Sequence, residues 1–184
     1  MRFFHLDRAN SLKIDEGSTI ELKPIPRQKN IELMSKNLMQ QYPNGVSQHG
    51  ISYLLDSYKK DSITSEWFLE YERKINFLEK PSRFQSVFAF KELDDIRRFI
   101  SKVEFNQDVL FIYELEAEHY FKGDMQMVGS QSSPLIQSAM AQAYWEGKSL
   151  REMDEKFINI IPLWEYLLVP PIKVIGKFTL KLVK

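Results

Sequence analysis

Hydrophobic and polar positions change period several times along the chain, and those changes predict its elements. Residues 2–6 form a short aromatic stretch that reads as a strand. Glu16-Gly17 signals a turn, and Thr19 to Leu22 alternates like a strand until Pro24 and Pro26 end it. Between residues 31 and 41, Ile31, Leu33, Met34, Leu38 and Met39 fall on one helical stripe. Tyr42 to Gly45 is a turn, and Ser47 to Ile51 reads as loop. Ser65 to Phe77 predicts an amphipathic helix, with Trp67, Phe68, Tyr71 and Ile75 on one side and Glu66, Glu70, Glu72, Arg73 and Lys74 around them.

After Pro81 the pattern is denser. Gln85 to Phe90 is strand-like, and Phe84, Phe88 and Phe90 fall on one strand face. Leu93 to Ile100 is helix-like, and Asp108 to Glu116 is a second strand with an apolar start. Residues 117–133, with Gly123 and Gly129, read as a strand plus loop. Ser133-Pro134 opens a helix, Ser as cap and Pro just inside; it runs to Glu146, and Gly147 ends it. Ser149 caps a short helix to Phe157. Glu165 to Val169 and Ile172 to Val183 are strand material split by Pro170-Pro171. Strands and helices do not alternate regularly, which predicts an α+β domain with a mostly antiparallel sheet rather than a doubly wound parallel one.

Composition narrows the chemistry. A length of 184 residues predicts a single domain, 1–184. Lys plus Arg and Asp plus Glu are 25 each, a zero balance that argues against indiscriminate coating of nucleic acid or anionic membrane but leaves room for a local patch. With no cysteine there is no disulfide, thiolate metal site, iron–sulfur cluster or Cys nucleophile. His5, His49 and His119 are the only histidines, too few for a multi-His metal site to be expected. No stretch approaches the roughly 18–20 apolar residues that span a bilayer, and Met1 to Arg8 lacks a signal peptide's apolar core, so a cytoplasmic protein with no membrane association is expected. Phosphate-loop, dinucleotide-fingerprint, zinc-protease and nucleophile-elbow motifs are missing.

Three places carry candidate chemistry. His5, between aromatic and apolar neighbours, either hydrogen-bonds a ligand hydroxyl or is a satisfied structural histidine. The aromatics of Ser82 to Phe90 either stack on a planar heterocycle or belong to the core. Glu165, flanked by Trp164 and Tyr166, either steers a hydroxyl or stabilises a cation in a cleft, or is the polar face of a solvated strand.

Taken in order, these features resemble the ADP-ribosyltransferase superfamily, in its branch with a His–Tyr–Glu type triad. Ser82-Arg83-Phe84, Val87 to Phe90 and Leu93-Asp94-Asp95 resemble the second motif of rifamycin ADP-ribosyltransferases. The strand 109–116 falls where that family has its next core strand, and Glu165 to Gly176 resembles the stretch holding the family's Glu and final strands. A Phe/Tyr-His start, a Pro-Ser-Arg-Phe box and Tyr144-Trp-Glu-Gly147 also resemble an uncharacterised bacterial family of similar length.

The resemblance implies a split antiparallel β-sheet core with flanking helices, and NAD as substrate without a metal. It places His5 on the adenosine ribose, Phe88 and Phe99 at the nicotinamide-side aromatic positions, and Glu165 on the 2′-hydroxyl of the nicotinamide ribose. Arg8, Arg27, Lys29 and Arg83 become candidates for the pyrophosphate. Residues 156–164, with Phe157 and Trp164, would occupy the acceptor-recognition loop and stack a nucleobase or dock a protein. Two departures matter: Phe88 stands where the family usually has Tyr, and Leu163 removes the Glu-x-Glu pair used for Arg acceptors. The implied function is mono-ADP-ribosylation of a macromolecule, nucleic acid slightly favoured over protein. Toxin or phage-defence biology and a neutralising antitoxin go with it. A catalytically degenerate nucleotide- or protein-binding module of the same fold is the alternative, and an unrelated α+β interaction protein is the third.

Overall fold

The computed structural model describes residues 1–8, 10, 12–26, 32–55, 60–103, 105, 107–129 and 133–182. Its strands are β1 (Arg2–Asp7), β2 (Thr19–Ile20), β3 (Val87–Ala89), β4 (Val109–Glu116), β5 (Tyr120–Asp124), β6 (Trp164–Leu168) and β7 (Ile172–Lys181). Its helices are α1 (Glu32–Gln41), α2 (Gln48–Leu55), α3 (Lys60–Asn76), α4 (Leu93–Ile100) and α5 (Pro134–Trp145). Arg27 and Lys29 lie outside the described residues.

The strands form two sheets, ordered β1-β4-β7-β2 and β3-β6-β5, and every strand pair is antiparallel. The sheets meet at one isolated bridge, where Phe4 and Phe90 exchange backbone hydrogen bonds of 2.8 Å each. The fold is thus α+β with antiparallel sheets, as the irregular order of elements predicts.

Alternation decides which side chains face which way. In β3, Val87 and Ala89 enter a core with Phe3, Tyr113, Leu115, Leu168, Ile172 and Val174, and Phe88 points to the other side. A second cluster gathers Phe121, Tyr144, Trp145 and Leu167 between α5, β5 and β6. α4 buries Ile96 and Phe99 against Leu110 and Ile112 of β4. The Ser133 hydroxyl accepts from the Ile136 amide, Pro134 begins α5, and Gly147 leaves it with φ 76°.

Four expectations need correction. Ser47 to Ile51 is not loop: Gln48–Leu55 is helical, and the Ser47 hydroxyl accepts from the Gly50 amide at 3.0 Å in its first turn. Gly50 suits this place because a Cβ there would lie 2.1 Å from the Phe84 carbonyl oxygen. Phe84 does not share a strand face with Phe88; it sits in a 3-10 turn, Arg83–Gln85, and is buried against Tyr42 and Val46. The segment after Ser149 is two 3-10 turns, Leu150–Glu152 and Glu155–Phe157, rather than one helix.

The fourth correction concerns α3, whose buried and exposed faces are exchanged. Tyr71 and Ile75 are 64% and 55% exposed, and Glu66, Glu70 and Arg73 are buried. The polar face goes inward because its charges are paired there. Arg73 donates to Glu70 from Nε at 3.1 Å and from Nη2 at 2.8 Å, and Ser82 and Tyr42 donate to the same carboxylate. Paired charges tolerate burial that isolated ones do not.

Candidate functional site

Residues of β1 and β3 line a cavity of about 380 Å³, within the ~300–1,000 Å³ usual for ligand sites. His5 from β1, Phe88 from β3 and Glu165 from β6 all line it, with His49 from α2 and Glu66 from α3. Arg8 stands after β1 and is exposed; its guanidinium carbon lies 5.6 Å from the ring centre of Phe99, which also lines the cavity.

Arg83 organises the floor. Its Nε donates to Glu66 Oε2 at 2.7 Å and its Nη2 to Glu66 Oε1 at 2.8 Å, a bidentate pair. Its Nη1 donates to the Tyr144 hydroxyl at 2.6 Å and also to Glu165 Oε1. Tyr144 in turn donates to Glu165 Oε1 at 2.9 Å. All four side chains are buried. Glu165 Oε2 is buried and has no hydrogen-bond partner among the described residues.

One guanidinium therefore faces two carboxylates, and the two are not equivalent. Glu66 holds Arg83 through both oxygens, and this attraction outweighs burial and depresses its pKa. Burial dominates for Glu165 and raises its pKa, despite the hydrogen bonds from Arg83 and Tyr144. Glu165 is the carboxylate whose ionised form burial disfavours and whose second oxygen is unpaired.

Two histidines flank this cluster. His5 Nδ1 lies 2.6 Å from the Phe88 carbonyl oxygen, an accepting group, which assigns the proton to Nδ1. Its other ring nitrogen then has a free lone pair, and burial lowers its pKa. The His49 ring lies 4.0 Å from Phe88 and 4.3 Å from Tyr53, centre to centre. Its Nε2 is 3.8 Å from Glu66 Oε1, too far for a hydrogen bond, and burial holds its pKa down at about 4. Both histidines are neutral at pH 7.

Six of the residues singled out from sequence meet at this cavity: His5, Arg8, Arg83, Phe88, Phe99 and Glu165. Arg83 turns most of its donors onto protein carboxylates and the Tyr144 hydroxyl. Phe157 and Trp164 do not line it. Phe157 packs beside the Trp145 cluster, and the Trp164 ring lies 3.7 Å from the Lys122 amine. Ile158 and Ile161 between them are exposed. Sequence reasoning missed His49, Glu66 and Tyr144. The pattern reads His49 as loop and Glu66 as one of the polar residues around an amphipathic helix, and Tyr144 carries no signal beyond the Tyr-Trp-x-Gly string. Among the described residues, no group of three or more His, Asp or Glu is placed to hold a metal ion.

A family of proteins of unknown function, DUF2441, matches residues 3–177, nearly the whole chain. The chain belongs to the DUF2441 family. No curated protein matches it. The DUF2441 match begins within β1 and ends within β7, so it takes in every residue lining the cavity.

Proposed function

We propose that this DUF2441 protein is a NAD-dependent mono-ADP-ribosyltransferase, with Glu165 as its catalytic carboxylate. The observation that carries the reading is the buried, unpaired Oε2 of Glu165 in a cavity shared with His5 and Phe88. Such an atom is costly to keep unless a ligand satisfies it. The separation of β1-β4-β7-β2 from β3-β6-β5 supports the split-sheet core that the resemblance implies.

In this reading His5 accepts a hydrogen bond from a hydroxyl of the adenosine ribose. Exposed Arg8 meets the pyrophosphate. The nicotinamide packs against the cavity side of the cluster formed by Phe88, His49 and Tyr53. Glu165 Oε2 accepts from the 2′-hydroxyl of the nicotinamide ribose and stabilises positive charge as the glycosidic C–N bond breaks. Nicotinamide leaves with the bonding electron pair. The acceptor's lone pair then forms the new bond to C1′, and the acceptor loses its proton. No thiol, metal or covalent intermediate is required.

The acceptor is proposed to be a macromolecule, nucleic acid in preference to protein. With zero net charge it must be held locally. Incubation with adenylate-labelled NAD and mixed RNA, DNA and protein should label one acceptor class, and Glu165→Gln should abolish that label. Folded wild type that leaves NAD intact and binds none of it contradicts the reading.

A second reading is a binding module of the same fold without turnover. It is favoured by the occupation of Glu165 Oε1 by both Arg83 and Tyr144 and by the missing hydroxyl at Phe88. NAD bound but never cleaved would support it.

A further inference from the structure

We infer that Tyr144 is the positioning residue for Glu165, and that Gly123 is what lets it reach. The inference rests on the proposed role of Glu165 and adds the device that presents its free oxygen. Gly123 is directly opposite Glu165 in the β5–β6 register. A Cβ at Gly123 would lie 2.3 Å from Tyr144 Cε2 and 2.5 Å from Cζ, so the ring occupies the space that a side chain would fill. From there the hydroxyl bonds Glu165 Oε1 at 2.9 Å. Arg83 bonds the same oxygen and the same hydroxyl. Two donors converging on Oε1 fix the carboxylate's rotation, and the oxygen left over is Oε2.

The geometry separates this role from simple packing. The ring of Tyr144 belongs to the core with Phe121 and Trp145, at 5.5 and 5.0 Å between centres. Its hydroxyl does not: its partners are Arg83 and Glu165. Removing the hydroxyl alone leaves the ring contacts in place. Arg83 keeps both oxygens of Glu66. The charged and titratable groups facing Glu165 are Arg83 from the 3-10 turn, Glu66 from α3 and Tyr144 from α5. Of these only Tyr144 is altered in the test.

The experiment is Tyr144→Phe, with Gly123→Ala as a second variant that displaces the ring instead of the hydroxyl. Both are checked for folding by circular dichroism. Loss of a hydrogen bond to a charged group is expected to lower kcat by about 10- to 100-fold, with the KM for NAD nearly unchanged. The Glu165 titration midpoint, read from its ¹³C-labelled carboxyl by NMR, should rise in Tyr144→Phe. A folded Tyr144→Phe with wild-type kcat and an unmoved midpoint overturns the inference and leaves the proposed function intact. A wild type that cleaves no NAD overturns the proposed function, and the Glu165 midpoint still reads whether Tyr144 holds the carboxylate.

Discussion

At the residue scale, the site separates two carboxylates that share one guanidinium. Glu66 serves the fold and Glu165 carries the unpaired oxygen. Their substitutions should act in opposite directions. Glu66→Gln leaves Arg83 without its bidentate partner and should destabilise the protein by about 3–5 kcal/mol, seen in denaturant melts. Glu165→Gln removes a buried charge that folding disfavours and should hold or raise the melting temperature while abolishing the proposed turnover. Losing stability in both variants alike would contradict this division.

The pH dependence follows from the same pair. The folded pKa of Glu165 is raised, so its ionised form is disfavoured by folding. The stability linked to its protonation is present below the unfolded pKa and is lost as pH rises through the folded one. The stability gap between Glu165→Gln and wild type should therefore widen from pH 5 to pH 8, read by thermal melts. A gap that narrows over that range contradicts the assignment. Glu66 has the opposite sign: its pKa is depressed, so its contribution is present above the unfolded pKa and is lost as pH falls through the folded one. In the proposed reaction Glu165 acts ionised, so the acid limb of turnover should lie above the ordinary carboxylate range.

At the scale of elements, short polar anchors decide where loops and helices sit. Asp124 ends β5 fully buried, and its carboxylate accepts from the amides of Gln126, Leu150 and Leu163. It ties both ends of the 150–163 segment to the strand that also carries Gly123. Asp124→Ala orphans three amides, two of them in buried bonds, and should cost about 2–4 kcal/mol in denaturant melts. A change under about 0.5 kcal/mol would show that the segment is held by its apolar contacts instead.

Much of this level was legible in sequence. The cap at Ser133-Pro134, the stop at Gly147 and helix 93–100 are local signals, and each element forms where its signal stands. α2 was not legible, because His49-Gly50 has weak helix propensity and its support comes from Phe84, distant in sequence. α3 was misread because periodicity ranks side chains by polarity alone. It does not see that Arg83 and Arg73 make Glu66 and Glu70 more at home inside than Tyr71 or Ile75.

At the scale of the whole molecule, the cavity lies beside the Phe4–Phe90 bridge that joins the two sheets. No described helix is long and apolar enough to cross a membrane. His5, Phe88 and Glu165 came from three strands far apart in sequence, and their convergence was anticipated only through the family resemblance. The buried ion network beneath them was not, since Arg83, Glu66 and Tyr144 meet only after folding. If the activity is toxic, cells expressing wild type should grow poorly and cells expressing Glu165→Gln normally; equal growth would remove toxicity from the account.

The central claim is that this cavity holds NAD with its nicotinamide ribose at Glu165. A crystal of Glu165→Gln soaked with NAD tests it most directly. The account predicts the 2′-hydroxyl of that ribose within hydrogen-bond distance of the residue-165 side chain and the adenosine ribose at His5. NAD bound elsewhere, or bound in this cavity with its nicotinamide ribose turned away from residue 165, would contradict it.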